Sequence, residues 1–239
     1  APAPALRRLL DSLAPPRAPT PGVRELSMAA WAVGAVVHAA APSSVRPAAA
    51  AALRRLAASA ASSKAQLDSR AVASVLHALG TASVLPPSAA IHALLERLLE
   101  LELGCSPQDV ANALWGLARR GFRLAEEDAP ALTRVLRAVL PRAKVEELSA
   151  VAWALGRMAA CNEARALPGP TAEVHKALAA MGSGLSSQGC AVCLWSISRA
   201  QPPPPSGVVA VLIERATDEA PRLTPQGLSM VCGACARHS

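Results

Sequence analysis

Aromatic side chains are scarce in this chain. Its 239 residues include no Tyr, one Phe and four Trp. Strands favour aromatic and β-branched residues, so the scarcity argues against a β-rich fold. Lysine is almost as rare: Lys64, Lys144 and Lys176 are the only three among 24 cations, and the other 21 are Arg. Unbroken apolar runs are missing too. Three uncharged stretches reach the necessary length, residues 26–45, 71–95 and 177–198. The first is broken by Pro42, the second by Pro86 and Pro87, and the third by a polar run over 182–189. None supplies the roughly 20 consecutive apolar residues of a membrane-crossing helix, so no membrane partner is expected.

Catalytic patterns are missing as well. No Gly-rich loop is spaced to cradle phosphate. His38, His77, His92, His175 and His238 are scattered, and none sits beside a Cys, Ser or carboxylate in a pattern that would activate a nucleophile. The acidic residues Glu126, Glu127, Asp128, Glu146 and Glu147 lie near expected helix starts, where the helix dipole accounts for them. The sequence therefore predicts no enzyme, no cofactor and no small-molecule substrate.

What the chain has in abundance is Ala and Leu, which dominate its 52% apolar content. Both are strong helix formers, and the expectation is an all-α protein. Net charge is +7 and uneven: residues 1–80 carry 9 basic and 3 acidic groups, residues 81–160 carry 9 of each, and residues 161–239 carry 6 and 5. An Arg-rich, basic chain suits phosphate contact without demanding it.

The chain repeats itself. Four tryptophans, Trp31, Trp115, Trp153 and Trp195, occupy the same local frame, as in Ala150-Val-Ala-Trp153-Ala-Leu-Gly156. His77 and Gly233 fill the equivalent place in two degenerate copies. These six slots are spaced by 46, 38, 38, 42 and 38 residues. Five residues before the slot stand Leu26, Val72, Val110, Leu148, Cys190 and Leu228; four before it stand Ser27, Ala73, Ala111, Ser149, Ala191 and Ser229, all small. Four residues after it, four copies carry Arg119, Arg157, Arg199 and Arg237, where a cation meets a helix C-terminus favourably. Asp68, Ser106, Ser186 and Thr224, nine before the slot, are good N-caps, and Ser106 with Asp109 forms a capping-box pattern.

A second helix precedes this one at constant distance. Leu10, Leu56, Leu94, Leu132, Val174 and Leu212 stand 21 residues before the slot, and Ala14, Ala60, Leu98, Leu136, Leu178 and Ala216 stand 17 before it. That is an i, i+4 apolar stripe. Extra residues fall between hairpins, near Pro42 and between Cys161 and Pro168, never within one. The helix pair is thus the unit. Stacked pairs bury a continuous core, which predicts a right-handed α-solenoid of about six helix-pair, 38-residue repeats filling the chain as one domain: approximately 4–41, 42–85, 86–123, 124–165, 166–203 and 204–239. In that arrangement Trp31, Trp115, Trp153 and Trp195 are expected to form a structural core ladder.

Two Cys-x-x-Cys pairs, Cys190/Cys193 and Cys232/Cys235, have the spacing of zinc ligands. Both pairs replace apolar residues of the repeat, in different registers, so core thiols are expected rather than a metal site. The polar columns of the first helix carry the candidate binding residues: Arg54, Arg55, Arg97, Arg134, Arg137, His175, Lys176 and Arg215.

The stretch Ser106-Pro-Gln-Asp-Val-Ala-Asn-Ala-Leu-Trp-Gly-Leu-Ala-Arg-Arg-Gly-Phe122, with its 38-residue period, resembles the octotricopeptide repeat family. The resemblance runs the length of the chain, is strongest in the third copy, and weakens in the second and sixth, which lack Trp. It implies an organellar RNA-binding protein that binds and stabilises RNA of a mitochondrion or chloroplast, the mitochondrion placed first. Six repeats at about one base each specify a short stretch, which favours ribosomal RNA, with ribosomal proteins alongside, over a transcript-specific messenger factor for stability or translation. A protein–protein interaction scaffold is the reading from another class.

Overall fold

The computed structural model describes residues 3–13, 22–38, 43–161, 167–181, 184–200 and 203–238. Among these residues the chain is all-helical, with twelve α-helices, short 3-10 turns and no strand. The insertions expected near Pro42 and between Cys161 and Pro168 fall largely outside the described residues. Two compact units divide the chain, residues 1–120 and 121–239.

The first unit contains α1 (Ala3–Ser12), α2 (Val23–His38), α3 (Arg46–Ser62), α4 (Ser69–Thr81), α5 (Ser88–Glu100) and α6 (Pro107–Arg119). The odd-numbered helices neighbour one another in one layer, α1 on α3 and α3 on α5; the even-numbered ones form a second, α2 on α4 and α4 on α6. The second unit repeats the scheme with α7 (Ala129–Val139), α8 (Val145–Cys161), α9 (Pro168–Met181), α10 (Ser187–Ile197), α11 (Ser206–Asp218) and α12 (Pro225–His238). There α7 packs on α9 and α9 on α11, while α8 packs on α10 and α10 on α12.

The hairpin connector explains why the distance between paired helices never varies. After α3, α5, α7 and α11 comes a 3-10 turn, at Lys64–Gln66, Glu102–Gly104, Leu140–Arg142 and Ala220–Arg222. Each is followed by an extended residue, Leu67, Cys105, Ala143 and Leu223, and the first three of these bury their side chains. After three of these turns the next helix, α4, α6 or α12, starts on a side-chain cap, and α10 does so too; α8 instead begins after Lys144, whose amide donates to the Glu147 carboxylate at 2.7 Å. Asp68 accepts from the Ala71 amide at 2.7 Å, Ser106 from Asp109 at 3.1 Å, Ser186 from Gly189 at 3.2 Å and Thr224 from Gly227 at 3.1 Å. At Ser106 the capping box is complete, because its own amide donates to the Asp109 carboxylate at 3.3 Å.

The core lies between the layers. Leu10, Leu56, Leu94, Leu132, Val174 and Leu212, the odd-helix stripe, are all buried, and so are Leu26, Val72, Val110, Leu148 and Cys190 of the even helices. A fully buried Leu such as Leu94 contributes about 1.5–3 kcal/mol. Leu228 is the exception in its column, at 51% exposed.

Even-numbered helices approach closely at small residues, but not chiefly at the column four before the slot. The contact is made one and three residues after it. A Cβ on Gly34 would stand 3.0 Å from the Ala78 Cα, one on Gly80 2.6 Å from the Gly116 Cα, and one on Gly156 2.7 Å from the Ser196 Cα. In each case the residue three after one slot meets the residue one after the next.

This geometry corrects the expectation for the tryptophans. Trp31 is 62% exposed, and Trp115, Trp153 and Trp195 are only partly buried. With Gly and Ala filling the seam between helices, the slot side chain is turned to the rim of that seam instead of into the core. A partial ladder does exist on the rim: the His77 and Trp115 rings stack with centroids 4.8 Å apart and planes 27° from parallel.

Candidate nucleic-acid interface

The cations of the odd-numbered helices divide into three groups. Arg97 and Arg215 are fasteners. Arg97 Nε donates to the Leu67 carbonyl at 3.0 Å, and Arg215 Nε to the Leu185 carbonyl at 3.1 Å. Both arginines stand 18 residues before their slot, and both acceptors stand 10 before the preceding one, so this is one structural device used twice. Arg97 also donates to the Ala65 carbonyl and pairs with Glu100 at 3.2 Å; Arg215 pairs with Glu219 at 3.0 Å.

Arg54 and Arg137 are exposed but engaged. Arg54 Nε donates to the Leu85 carbonyl at 3.1 Å, and Arg137 bonds Glu173 Oε1 through Nε at 3.0 Å and through a terminal nitrogen at 2.8 Å. Lys64 pairs with Glu96 in the same layer. Arg55, Arg134 and Lys176 are exposed. His175 is a correction: it is 5% exposed, so RNA on the surface cannot reach it. It borders a cavity of about 20 Å³ with Thr171 and Ser196, and its Nε2 has no hydrogen-bond partner. Burial holds its pKa below the usual 6.5. The odd-numbered layer thus presents interrupted, partly neutralised charge instead of a basic stripe.

The even-numbered helices of the first unit present a different surface. Trp31 of α2, Arg70, Ala73 and Ser74 of α4, and Gln108, Asp109 and Asn112 of α6 with its cap Ser106 line an open polar cleft of about 390 Å³. Asp109 is committed to the cap and to the Ser69 hydroxyl, which donates to it at 2.8 Å. Arg70, Ser74, Gln108 and Asn112 have no side-chain hydrogen-bond partner among the described residues, so their polar groups face solvent or a ligand.

These positions follow the slot. Arg70 and Gln108 stand seven residues before it, Ser74 and Asn112 three before it. The sequence reading passed over them because it looked to the first helix of each pair for the binding face. The signal was present: seven before each slot come Arg24, Arg70, Gln108, Glu146, Gln188 and Gln226, all long and polar, and all exposed.

Cations accompany the rings. The Arg119 guanidinium lies 5.2 Å from the Trp115 ring centroid and that of Arg199 4.3 Å from Trp195. Each pair is one helical turn apart, a cation–π contact worth about 0.5–1 kcal/mol at exposed sites. Arg157 and Arg237 hold the same register and are exposed. Burial lowers the Arg199 pKa, and the nearby like charge of Arg237 lowers it further, so in the second unit this register brings cations together.

Three of the cysteines, Cys105, Cys190 and Cys193, are buried thiols. Burial pushes the Cys105 thiol up to about 11, Cys190 to about 11 and Cys193 to about 12, so all three are protonated at neutral pH. Cys232 is exposed, which corrects its expected place in the core. Among the described residues no three His, Cys, Asp or Glu side chains group as metal ligands, and no helix is long and apolar enough to cross a membrane. No protein-family model matches the chain, and no curated protein matches it either.

Proposed function

We propose that this chain is an RNA-binding helical-repeat protein of an organelle, similar to the octotricopeptide repeat family, and that it holds RNA on the exposed edge of its even-numbered helices. In this reading each unit contributes three helix pairs to a right-handed α-solenoid of six. The observation that carries the proposal is the polar cleft of α2, α4 and α6, where unpartnered donors and acceptors lie beside a 62% exposed Trp31. Single-stranded RNA is read through base edges and by stacking on aromatic or guanidinium planes, and this surface offers both. The net charge of +7 supplies the non-specific attraction.

Six repeats at one base each address roughly six bases. That is short for finding one transcript, and it favours a fixed partner such as ribosomal RNA, with ribosomal proteins as neighbours, over a messenger leader. The family resemblance alone points to mitochondrion or chloroplast. One observation favours a protein-interaction scaffold instead: ion pairs such as Arg137–Glu173 neutralise much of the odd-numbered layer. Within a ribonucleoprotein that layer would face protein while the other faces RNA.

Crosslinking in the native organelle followed by sequencing of the bound RNA tests the proposal. Recovery of one ribosomal RNA segment is expected. A single messenger leader would make the chain a transcript-specific factor, and RNA at background level would leave the scaffold.

A further inference from the structure

We propose that the even-numbered helices read single-stranded RNA one base each through a stripe of positions, with the residue seven before the slot as the principal reader of the base edge; where a copy supplies them, a polar residue three before the slot assists (Ser74, Asn112), a ring in the slot stacks, and a cation four after it takes the phosphate (Arg119, Arg157, Arg199, Arg237). This rests on the RNA reading above and says which residues would give it sequence preference.

The spacing makes the stripe. Positions seven and three before the slot, the slot itself and four after it are i, i+4, i+7 and i+11, one edge of a helix. In α6 the four are Gln108, Asn112, Trp115 and Arg119; in α4 they are Arg70, Ser74, His77 and Thr81. Gln108, Asn112, Arg70 and Ser74 all open on the same cleft, which Trp31 also lines, and His77 stacks on Trp115 between the same two helices, α4 and α6. Small-molecule sites span about 300–1,000 Å³; the cleft, at about 390 Å³, has room for a nucleotide.

The first column is uniform in kind. Six of six copies place Arg, Gln or Glu there, while the neighbouring position six before the slot runs through Glu25, Ala71, Asp109, Glu147, Gly189 and Gly227. In all six copies the residue seven before the slot is the second of its helix and is exposed. These side chains also differ in the way bases differ. Arg24 and Arg70 offer paired donors that suit the O6 and N7 acceptors of guanine; Gln108, Gln188 and Gln226 offer one donor and one acceptor, matching N6 and N7 of adenine; Glu146 accepts only, matching the cytosine amino group. Gln188 is partly occupied, accepting from the Thr224 hydroxyl at 3.5 Å, and would read more weakly.

The test is selection from a randomised RNA pool with the whole chain, its Gln108→Arg variant, and an Arg54→Gln/Arg55→Gln variant of the odd-numbered layer. Gln108 is exposed, so Gln108→Arg leaves the fold intact, which circular dichroism checks. A good bidentate contact discriminates by about tenfold or more. The expected result is that Gln108→Arg moves the preference from adenine to guanine at one position by about that factor and leaves the others unchanged, while the odd-layer variant keeps the parent pattern. RNA bound with no change of preference at any position would overturn the reading stripe and leave the RNA-binding function standing. A preference moved by the odd-layer variant alone would overturn it as well, in favour of that layer. No RNA retained even at low salt would overturn both.

Discussion

Gly80 and Gly116 meet backbone to backbone: a Cβ on Gly80 would lie 2.6 Å from the Gly116 Cα. A Cβ on Gly116 would in turn run into the Leu76 carbonyl oxygen, which belongs to a helix and cannot swing aside. Alanine has the better helix propensity by about 1 kcal/mol, but overpacking of about 1–3 kcal/mol opposes it. Gly116→Ala and Gly80→Ala should therefore lower the unfolding midpoint in urea. Gly233→Ala, where a Cβ meets nothing within 4 Å, should raise it. Equal behaviour of the three variants would contradict the seam.

The Arg97 fastener gives a second prediction. Its Nε and a terminal nitrogen serve the carbonyls of Leu67 and Ala65, and its side chain is only 21% exposed. Removing the donor leaves acceptors without partners, at about 1–3 kcal/mol. Arg97→Lys should not restore stability, because an ammonium lacks the planar fork that reaches both carbonyls. Thermal unfolding of Arg97→Met and Arg97→Lys checks this: both should fall well below the parent, and rescue by Lys would mean that only charge matters.

How much of this was legible beforehand depended on how local the physics was. The caps at Asp68, Ser106, Ser186 and Thr224 and the stripe from Leu10 to Leu212 were readable because each is decided within one helical turn. The fate of Arg97 was not, because its acceptor at Leu67 lies 30 residues away and the side chain reads as an ordinary solvated cation. The exposure of Trp31 was missed for a related reason. An indole fits a core or a rim equally well, and the choice was made by Gly34 and Ala78 closing the seam beside it. Column-by-column comparison of the copies held the clue to Arg70 and Gln108, but only the cleft joins them to Ser74 and Asn112.

His175 makes stability depend on pH. Burial holds its folded-state pKa below the ordinary 6.5, and the lining of its cavity carries no charged side chain. The unfolded chain therefore takes up a proton near pH 6.5 that the folded chain refuses, and stability falls as pH drops below that value until the folded pKa is passed. His77, depressed by burial and then by His38, adds an effect of the same sign. His175→Leu removes the titrating group and its orphaned nitrogen. Its unfolding midpoint should decline less than the parent's between pH 7.5 and 5.5; parallel curves would show that His175 is accessible to protons in the folded state.

The arginines four residues after the slot should set the salt dependence of RNA binding. Arg157, Arg199 and Arg237 share one register on α8, α10 and α12, and the like charge of Arg237 already disfavours the charged form of Arg199. A phosphate between them would relieve that repulsion. For single strands each neutralised phosphate contributes about 0.7 to the slope of log K against log salt. If all three contact phosphate, replacing them with Gln should lower the slope by about 2 and weaken binding to all sequences alike. Base preference should persist, because the readers seven before the slot are untouched. Arg199→Gln also removes the cation over Trp195, so Arg157→Gln, whose parent side chain is exposed, serves as the variant with least effect on the fold. Affinities measured from about 50 to 200 mM salt decide the matter: an unchanged slope in the triple variant would take the phosphate track away from this register, while a changed base preference would merge the two roles that the stripe keeps apart.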